Sequence, residues 1–135
     1  MEKVFLTSVI LSKVLFCGEV NLEINNITSN CKTLRTGLYN TKESFSNVDK
    51  AYRGINLKVE TSKINHTFSN IPNGTYAIAL FCDENQNGFL DKNFIGIPKE
   101  AYGFSNNPKV FGKPNFEDTK FELNNNINLK IKVQK

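Results

Sequence analysis

From residue 20 onward, apolar and polar residues alternate with a period of two along much of the chain. Val20, Leu22 and Ile24 interleave with Asn21, Glu23 and Asn25. Ile55, Leu57 and Val59 interleave with Asn56, Lys58 and Glu60, and Ile127, Leu129, Ile131 and Val133 with Asn128, Lys130, Lys132 and Gln134. Successive side chains of a strand point to opposite faces, so each run predicts a strand with one face buried and one wet. Residues 33–39, 64–68 and 119–123 are shorter runs of the same kind. Residues 76–81 are apolar on both faces and predict a strand in the middle of a sheet. Turn residues separate the runs, notably Asn70-Ile71-Pro72-Asn73-Gly74 and Asn124-Asn125-Asn126. Only residues 47–54 could hold a helical turn, and no 3.6-residue period appears. The pattern predicts an all-β fold, an antiparallel β-sandwich of immunoglobulin or transthyretin type with one long ordered loop.

That loop is residues 94–118, where Gly96, Pro98, Gly103, Pro108, Gly112 and Pro114 break the alternation. Loops of this length inside a compact domain are functional or disordered. Phe94, Ile95, Tyr102, Phe104, Phe111 and Phe116 give it too much apolar content for disorder. The expectation is a packed cap folded back over one end of the sandwich.

A chain of 135 residues fits one domain, expected at 19–135. The formal net charge is +4, but the cations are scattered among acids and no basic block interleaves with aromatics, which speaks against nucleic acid. Residues 1–18 differ in kind. Met1-Glu2-Lys3 precedes Val4-Phe5-Leu6, Val9-Ile10-Leu11 and Val14-Leu15-Phe16, a charged start and a modest apolar stretch like a secretory signal peptide. Ser8, Ser12 and Lys13 interrupt it, so no transmembrane span is expected in the mature domain. Phe16-Cys17-Gly18 places a cysteine where a lipoprotein has one, although Phe16 makes a poor cleavage site; the competing reading is an N-terminal strand. Export would place the domain outside the cytoplasm: periplasmic, secreted or surface-associated. It would also permit Cys31 and Cys82 to pair, although nothing in their spacing demands it. The absence of a Cys-x-x-Cys or Cys/His cluster speaks against structural zinc.

The most informative segment is Asp83-Glu84-Asn85-Gln86-Asn87-Gly88-Phe89-Leu90-Asp91. Side-chain oxygens fall at its first, third, fifth and ninth positions, with Gly88 sixth, where a calcium loop turns sharply. Asp83, Asn85, Asn87, the Phe89 carbonyl and Asp91 are therefore candidate calcium ligands, with Glu100 or water completing the shell. The twelfth position, a bidentate Glu in an EF-hand, is Phe94, and no helix flanks the loop. With two charged ligands the affinity class is about 10⁻⁴–10⁻³ M. The competing reading is a polar hairpin in which Asn and Gly do turn work.

Three segments, Gly74-Thr75-Tyr76-Ala77, Asp83-Glu84-Asn85-Gln86-Asn87-Gly88 and Gly96-Ile97-Pro98-Lys99-Glu100-Ala101-Tyr102-Gly103-Phe104-Ser105-Asn106-Asn107, resemble a bacterial family of uncharacterised exported proteins, domain of unknown function 2141. Leu38-Tyr39-Asn40 and Phe116-Glu117-Asp118 extend the resemblance, which runs from about Val20 to the C-terminus. It implies an export signal, a β-sandwich and no established activity. The chain departs from the family at Cys82, where a histidine is common, and in its weak leader.

Two function classes follow from the residues. No nucleophile-elbow, Walker or His-Glu-x-x-His pattern occurs. The single histidine, His66, shares a strand face with Ile64 and Phe68 and reads as a packed residue. For an enzyme, the best pair is Glu100 with Asp118 or Asp91, a carboxylate-dependent hydrolase of a glycan or peptide. The competing class is a cell-envelope binding or structural module, with Lys99, Glu100, Tyr102, Asn106 and Asn107 forming a surface for a peptide or glycan.

Overall fold

The computed structural model describes residues 16–96, 98–109 and 113–135. Most of the expected leader, together with Ile97, Phe111 and Gly112, lies outside the described residues. Among the described residues, eight strands form two sheets: β1 (Cys17–Asn25), β2 (Thr33–Tyr39), β3 (Arg53–Lys58), β4 (Ile64–Pro72), β5 (Gly74–Cys82), β6 (Tyr102–Phe104), β7 (Phe121–Leu123) and β8 (Asn126–Lys132). One sheet has the order β4-β1-β8, with β4 antiparallel and β8 parallel to β1. The other has the order β3-β2-β5-β6, with β7 also paired to β5. The runs predicted as strands appear, and residues 76–81 lie in the central β5. A 3-10 turn (Val48–Lys50) falls within the segment where a helical turn was expected.

The alternating residues build the core. Val20, Leu22 and Ile24 from β1 meet Leu34 and Leu38 from β2 and Ile78 and Leu80 from β5 in one buried cluster between the sheets. Each large side chain fully buried there contributes about 1.5–3 kcal/mol, an upper estimate. Cys31 and Cys82 lie in this cluster and form a disulfide, Cα–Cα 5.3 Å. It fastens the lead-in to β2 to the end of β5 and contributes about 2–4 kcal/mol. Cys82 is therefore a structural half of a disulfide turned into the core. Cys17 is exposed and free.

Residues 94–118 differ from the expected cap in two respects. They contain β6, paired antiparallel with β5, and at their end begins the one-turn helix α1 (Phe116–Thr119). Their apolar residues also divide. Phe104 and Phe116 join Tyr39, Phe45 and Ala77 in a second buried cluster, which covers part of the five-stranded sheet on the face turned away from the core. The rings of Phe45 and Phe104 lie 6.1 Å apart and those of Phe45 and Phe116 5.9 Å. Phe94 and Ile95, in contrast, stand exposed. The correction has a simple cause. The outward side chains of β5 are apolar too, so the second half of the segment covers them and leaves its first half without a partner.

Asparagine does specific work in this fold. Five of the non-glycine residues at positive φ are Asn26, Asn70, Asn106, Asn107 and Asn125, a conformation that Asn tolerates better than most residues. Asn107 donates to the Lys130 carbonyl at 2.9 Å and accepts from the Lys132 amide at 2.8 Å, so its side chain imitates a strand residue along the outer edge of β8. Asn106 donates to the Lys120 carbonyl at 2.8 Å. Such capping blunts an edge that would otherwise pair with another chain. Among the described residues, no helix is long and apolar enough to cross a membrane.

Candidate functional site

The 83–91 loop leaves the end of β5 and is shaped by side chain to backbone hydrogen bonds. Asp83 is fully buried. Its Oδ2 accepts from Arg35 Nε at 2.6 Å and from the Gly88 amide at 2.8 Å, and its Oδ1 accepts from the Asn87 amide at 3.1 Å. Asn85 Oδ1 accepts from the Asn87 amide at 3.3 Å, and Asn87 Oδ1 from the Phe89 amide at 2.9 Å. Asn85 and Asn87 thus each close a turn two residues ahead, and Asp83 spans four and five residues. Gly88 has φ +85°, the left-handed region that glycine enters without a Cβ clash.

Two acids finish the loop. Asp91 accepts from the side-chain amides of Asn85 and Asn87. The Asn87 amide, supported by Asn85 and Lys99, holds the Asp91 carboxyl below the usual carboxylate range against the opposing effect of desolvation. Glu100 is buried at the base, and its two oxygens accept from the Glu84 amide at 2.6 Å and the Asp91 amide at 2.9 Å. One carboxylate therefore ties the entry of the loop to its exit.

The proposed calcium ligands are thus neighbours on one loop, but their side-chain oxygens already have partners. Both Asp83 oxygens and both Glu100 oxygens accept protein N–H groups, and Asn85 and Asn87 turn their NH₂ groups to Asp91. Among the described residues, no three His, Cys, Asp or Glu side chains gather as a metal-binding group.

A groove of about 1090 Å³ lies on the outer face of the five-stranded sheet, beside this loop. Its floor is low because Gly54 of β3 and Ala79 of β5 face outward there, beside Gly37 of β2, which Tyr39 covers. A Cβ at Gly37 would come 2.8 Å from the ring of Tyr39, so the phenol lies down over the glycine. Tyr39, Phe81 and Phe104 line it as buried rings, and Tyr102 is the half-buried ring at its edge. Burial pushes the Tyr39 hydroxyl up to about 12, which keeps it protonated. Asn47, Val48 and Asp49 line the groove from the 3-10 turn, and Phe89, Leu90, Lys92 and Ile95 from the loop and its continuation. Arg35 lines it too, held between Asp83 and Asn56 Oδ1 at 3.2 Å.

Of the surface residues picked out in the sequence, Tyr102 lines this groove. Lys99 is exposed elsewhere, Glu100 anchors the loop, and Asn106 and Asn107 cap backbone edges. Asp118 belongs to the capping box of α1, accepting from the Asn115 amide, and is not beside Glu100 in any hydrogen bond. None of Glu100, Asp91 and Asp118 lines the groove, whose lining carboxylate is Asp49. His66 packs edge-on against Phe68 at 4.8 Å, and burial lowers its pKa. The floor escaped sequence reading because its glycines and alanine come from three different strands. The available signal was the run of small outward residues: Gly37 in β2, Gly54 in β3, Ala77 and Ala79 in β5.

The sequence model of a bacterial family, described as "Uncharacterized protein conserved in bacteria" (DUF2141), matches residues 22–131. Comparisons with curated proteins and with solved structures return no match.

Proposed function

This chain belongs to that bacterial family, and we propose that it is a non-covalent binding module of the cell envelope that holds a sugar chain in the groove of its five-stranded sheet. The observation carrying this reading is the groove itself: a floor of Gly54 and Ala79 flanked by the half-buried ring of Tyr102 and by the exposed amides of Asn47 and Asn56. Aromatic faces suit the C–H faces of pyranose rings, and amides suit their hydroxyls. A peptide fits less well. Its backbone N–H and C=O groups need partners, and the floor is a sheet face whose own backbone groups are already paired within the sheet. The buried Cys31–Cys82 disulfide supports a location outside the cytoplasm, where such bonds persist.

Titration calorimetry with hexasaccharides of glucose, N-acetylglucosamine and glucuronic acid, beside a ten-residue peptide, tests the reading. A Cβ at Gly54 would meet nothing closer than Ala51 Cβ at 3.9 Å, so Gly54→Phe fills the groove without disturbing the strand. At least one saccharide should bind the native chain and lose binding in Gly54→Phe. Binding of the peptide alone, or saccharide binding that Gly54→Phe leaves intact, would contradict it.

Calcium at the 83–91 loop is the second part of this proposal. Its support is the alternation of Asp83, Asn85, Asn87 and Asp91 about Gly88 and the Asx turns that already wrap the loop. Binding would require the Asn85 and Asn87 amides to turn from Asp91 and present oxygen, which limits affinity. Millimolar calcium should raise the melting temperature, and magnesium, which demands a smaller octahedral shell, should do so less. Coincident melting curves in calcium and in chelator would leave the loop a hydrogen-bonded hairpin.

A further inference from the structure

Two Gly-x-Tyr pairs stand in the five-stranded sheet, Gly37-Leu38-Tyr39 in β2 and Gly74-Thr75-Tyr76 in β5. In each, the ring reaches back toward the glycine two positions earlier on the same strand face. Tyr76 has a partner for its hydroxyl, which donates to the Pro72 carbonyl at 2.6 Å. Tyr39 has none. It is 3% exposed and lines the groove, and its hydroxyl makes no hydrogen bond among the described residues. A Cβ at Gly37 would lie 2.8 Å from that oxygen, which therefore takes the place of the side chain that residue 37 lacks. Gly37 pairs with Gly54 on one side and with Ala79 on the other. The Tyr39 hydroxyl thus stands in the row of small residues that floors the groove. Burial keeps its proton on, so it is a donor, and a desolvated donor without a partner is costly.

We propose that this hydroxyl is the specificity contact of the groove and donates to the carbonyl of an acetamido group, so that the sugar chain held there is built of N-acetylated amino sugars. The inference rests on the sugar-binding reading and narrows it. An acetamido group brings both features that the row can match: an acceptor oxygen for the phenol and a methyl small enough to sit over Gly54 and Ala79. A plain sugar hydroxyl carries no apolar body for Ala79. A uronate would set a full charge beside a neutral phenol with no free cation in the row. Arg35, next along the face of β2, is already engaged by Asp83 and Asn56, and Lys92 and Lys113, which also line the groove, are exposed outside the row.

Tyr39→Phe keeps the ring over Gly37 and removes one oxygen. Calorimetry on the full chain compares hexasaccharides of N-acetylglucosamine, glucose and glucuronic acid. The native chain should bind the N-acetylglucosamine chain about tenfold tighter than the other two, the scale of one well-made hydrogen bond. Tyr39→Phe should erase that preference, leave the affinity for the glucose chain as it was, and not lower the melting temperature, because no bond within the protein is lost. Equal binding of the N-acetylglucosamine and glucose chains, lost together in Gly54→Phe, overturns the inference and leaves the groove reading standing. Tightest binding of the glucuronic acid chain overturns it in favour of a charged contact. A preference that survives in Tyr39→Phe, or a lowered melting temperature with the preference intact, gives the hydroxyl a structural role and overturns it too. Binding of no hexasaccharide ends both readings.

Discussion

The sheet interior and the 83–101 segment, joined at Cys82 and Asp83, are held by opposite means. Inside the sandwich, Val20, Leu34, Ile78, Leu80 and Ile131 pack in one apolar cluster, and removing water drives their packing. In the loop, shape comes from single polar contacts: Asp83 to Arg35, Asn87 and Gly88, and Glu100 to Glu84 and Asp91. Its large apolar side chains, Phe89, Phe94 and Ile95, point to solvent. Apolar packing is non-directional and tolerates exchange of shape and type. A buried acceptor is directional, and one atom changes its value. The difference teaches where function has room. The sandwich supplies a rigid floor, and the loop beside it is free to carry surfaces that folding does not need.

The largest effect should come from the apolar side of the comparison. Phe104→Ala opens the cluster with Phe45 and Tyr39 and should cost about 3–5 kcal/mol by urea denaturation. A cost under 1 kcal/mol would mean that the aromatic cover is loose. Asp83→Ala is next. It leaves the Gly88 amide without an acceptor, the Asn87 amide with Asn85 Oδ1 alone, and Arg35, a quarter exposed, without its carboxylate partner, for about 1–3 kcal/mol. Hydrogen exchange should quicken at Asn87 and Gly88 and hardly at Ile78. Uniform quickening would show that loop and core open as one unit. Glu100→Gln should be smaller, about 1 kcal/mol, because one oxygen remains an acceptor. Exchange should rise at the Glu84 or Asp91 amide, and no change at either would deny Glu100 its tying role. Phe94→Ser should fall within about 0.5 kcal/mol of the parent; a clear loss would show that the ring is packed.

Acid should separate the two regions as well. The folded pKa of Asp91 is depressed, first by its bond from Asn87. Its contribution to the loop is then fully present above the ordinary carboxylate pKa and is lost as pH falls through the folded value. Side-chain amide signals of Asn85 and Asn87 should therefore move below the usual carboxylate range while core methyl signals stay. A loop transition at higher pH would require a different titrating group.

The core was legible in the sequence because period two is a property of neighbours along the chain. Val20, Leu22 and Ile24, or Ile127, Leu129 and Ile131, announce a strand before any partner is known. The compact turn at residues 83–91 was legible for the same reason, since its oxygens and Gly88 are local. What those oxygens touch was not. Arg35 lies far along the chain from Asp83, and Glu100 reaches back over the whole loop. The disulfide and the groove floor were hidden likewise, because Cys31 with Cys82, and Gly37 with Gly54 and Ala79, meet only once β2, β3 and β5 are in register. β6 was missed because Tyr102-Gly103-Phe104 is too short to show alternation.

The central claim is that the outer face of the five-stranded sheet is where a sugar chain sits. Amide chemical-shift mapping tests it most directly, with the saccharide that calorimetry selects titrated into isotopically labelled protein. The account predicts saturable shifts at Gly37, Gly54, Ala79 and Tyr102, with β4 residues such as Asn65 and Thr67 unmoved. Shifts confined to β4 and β8, or none at Gly37, Gly54 and Ala79 at saturating saccharide, would contradict it.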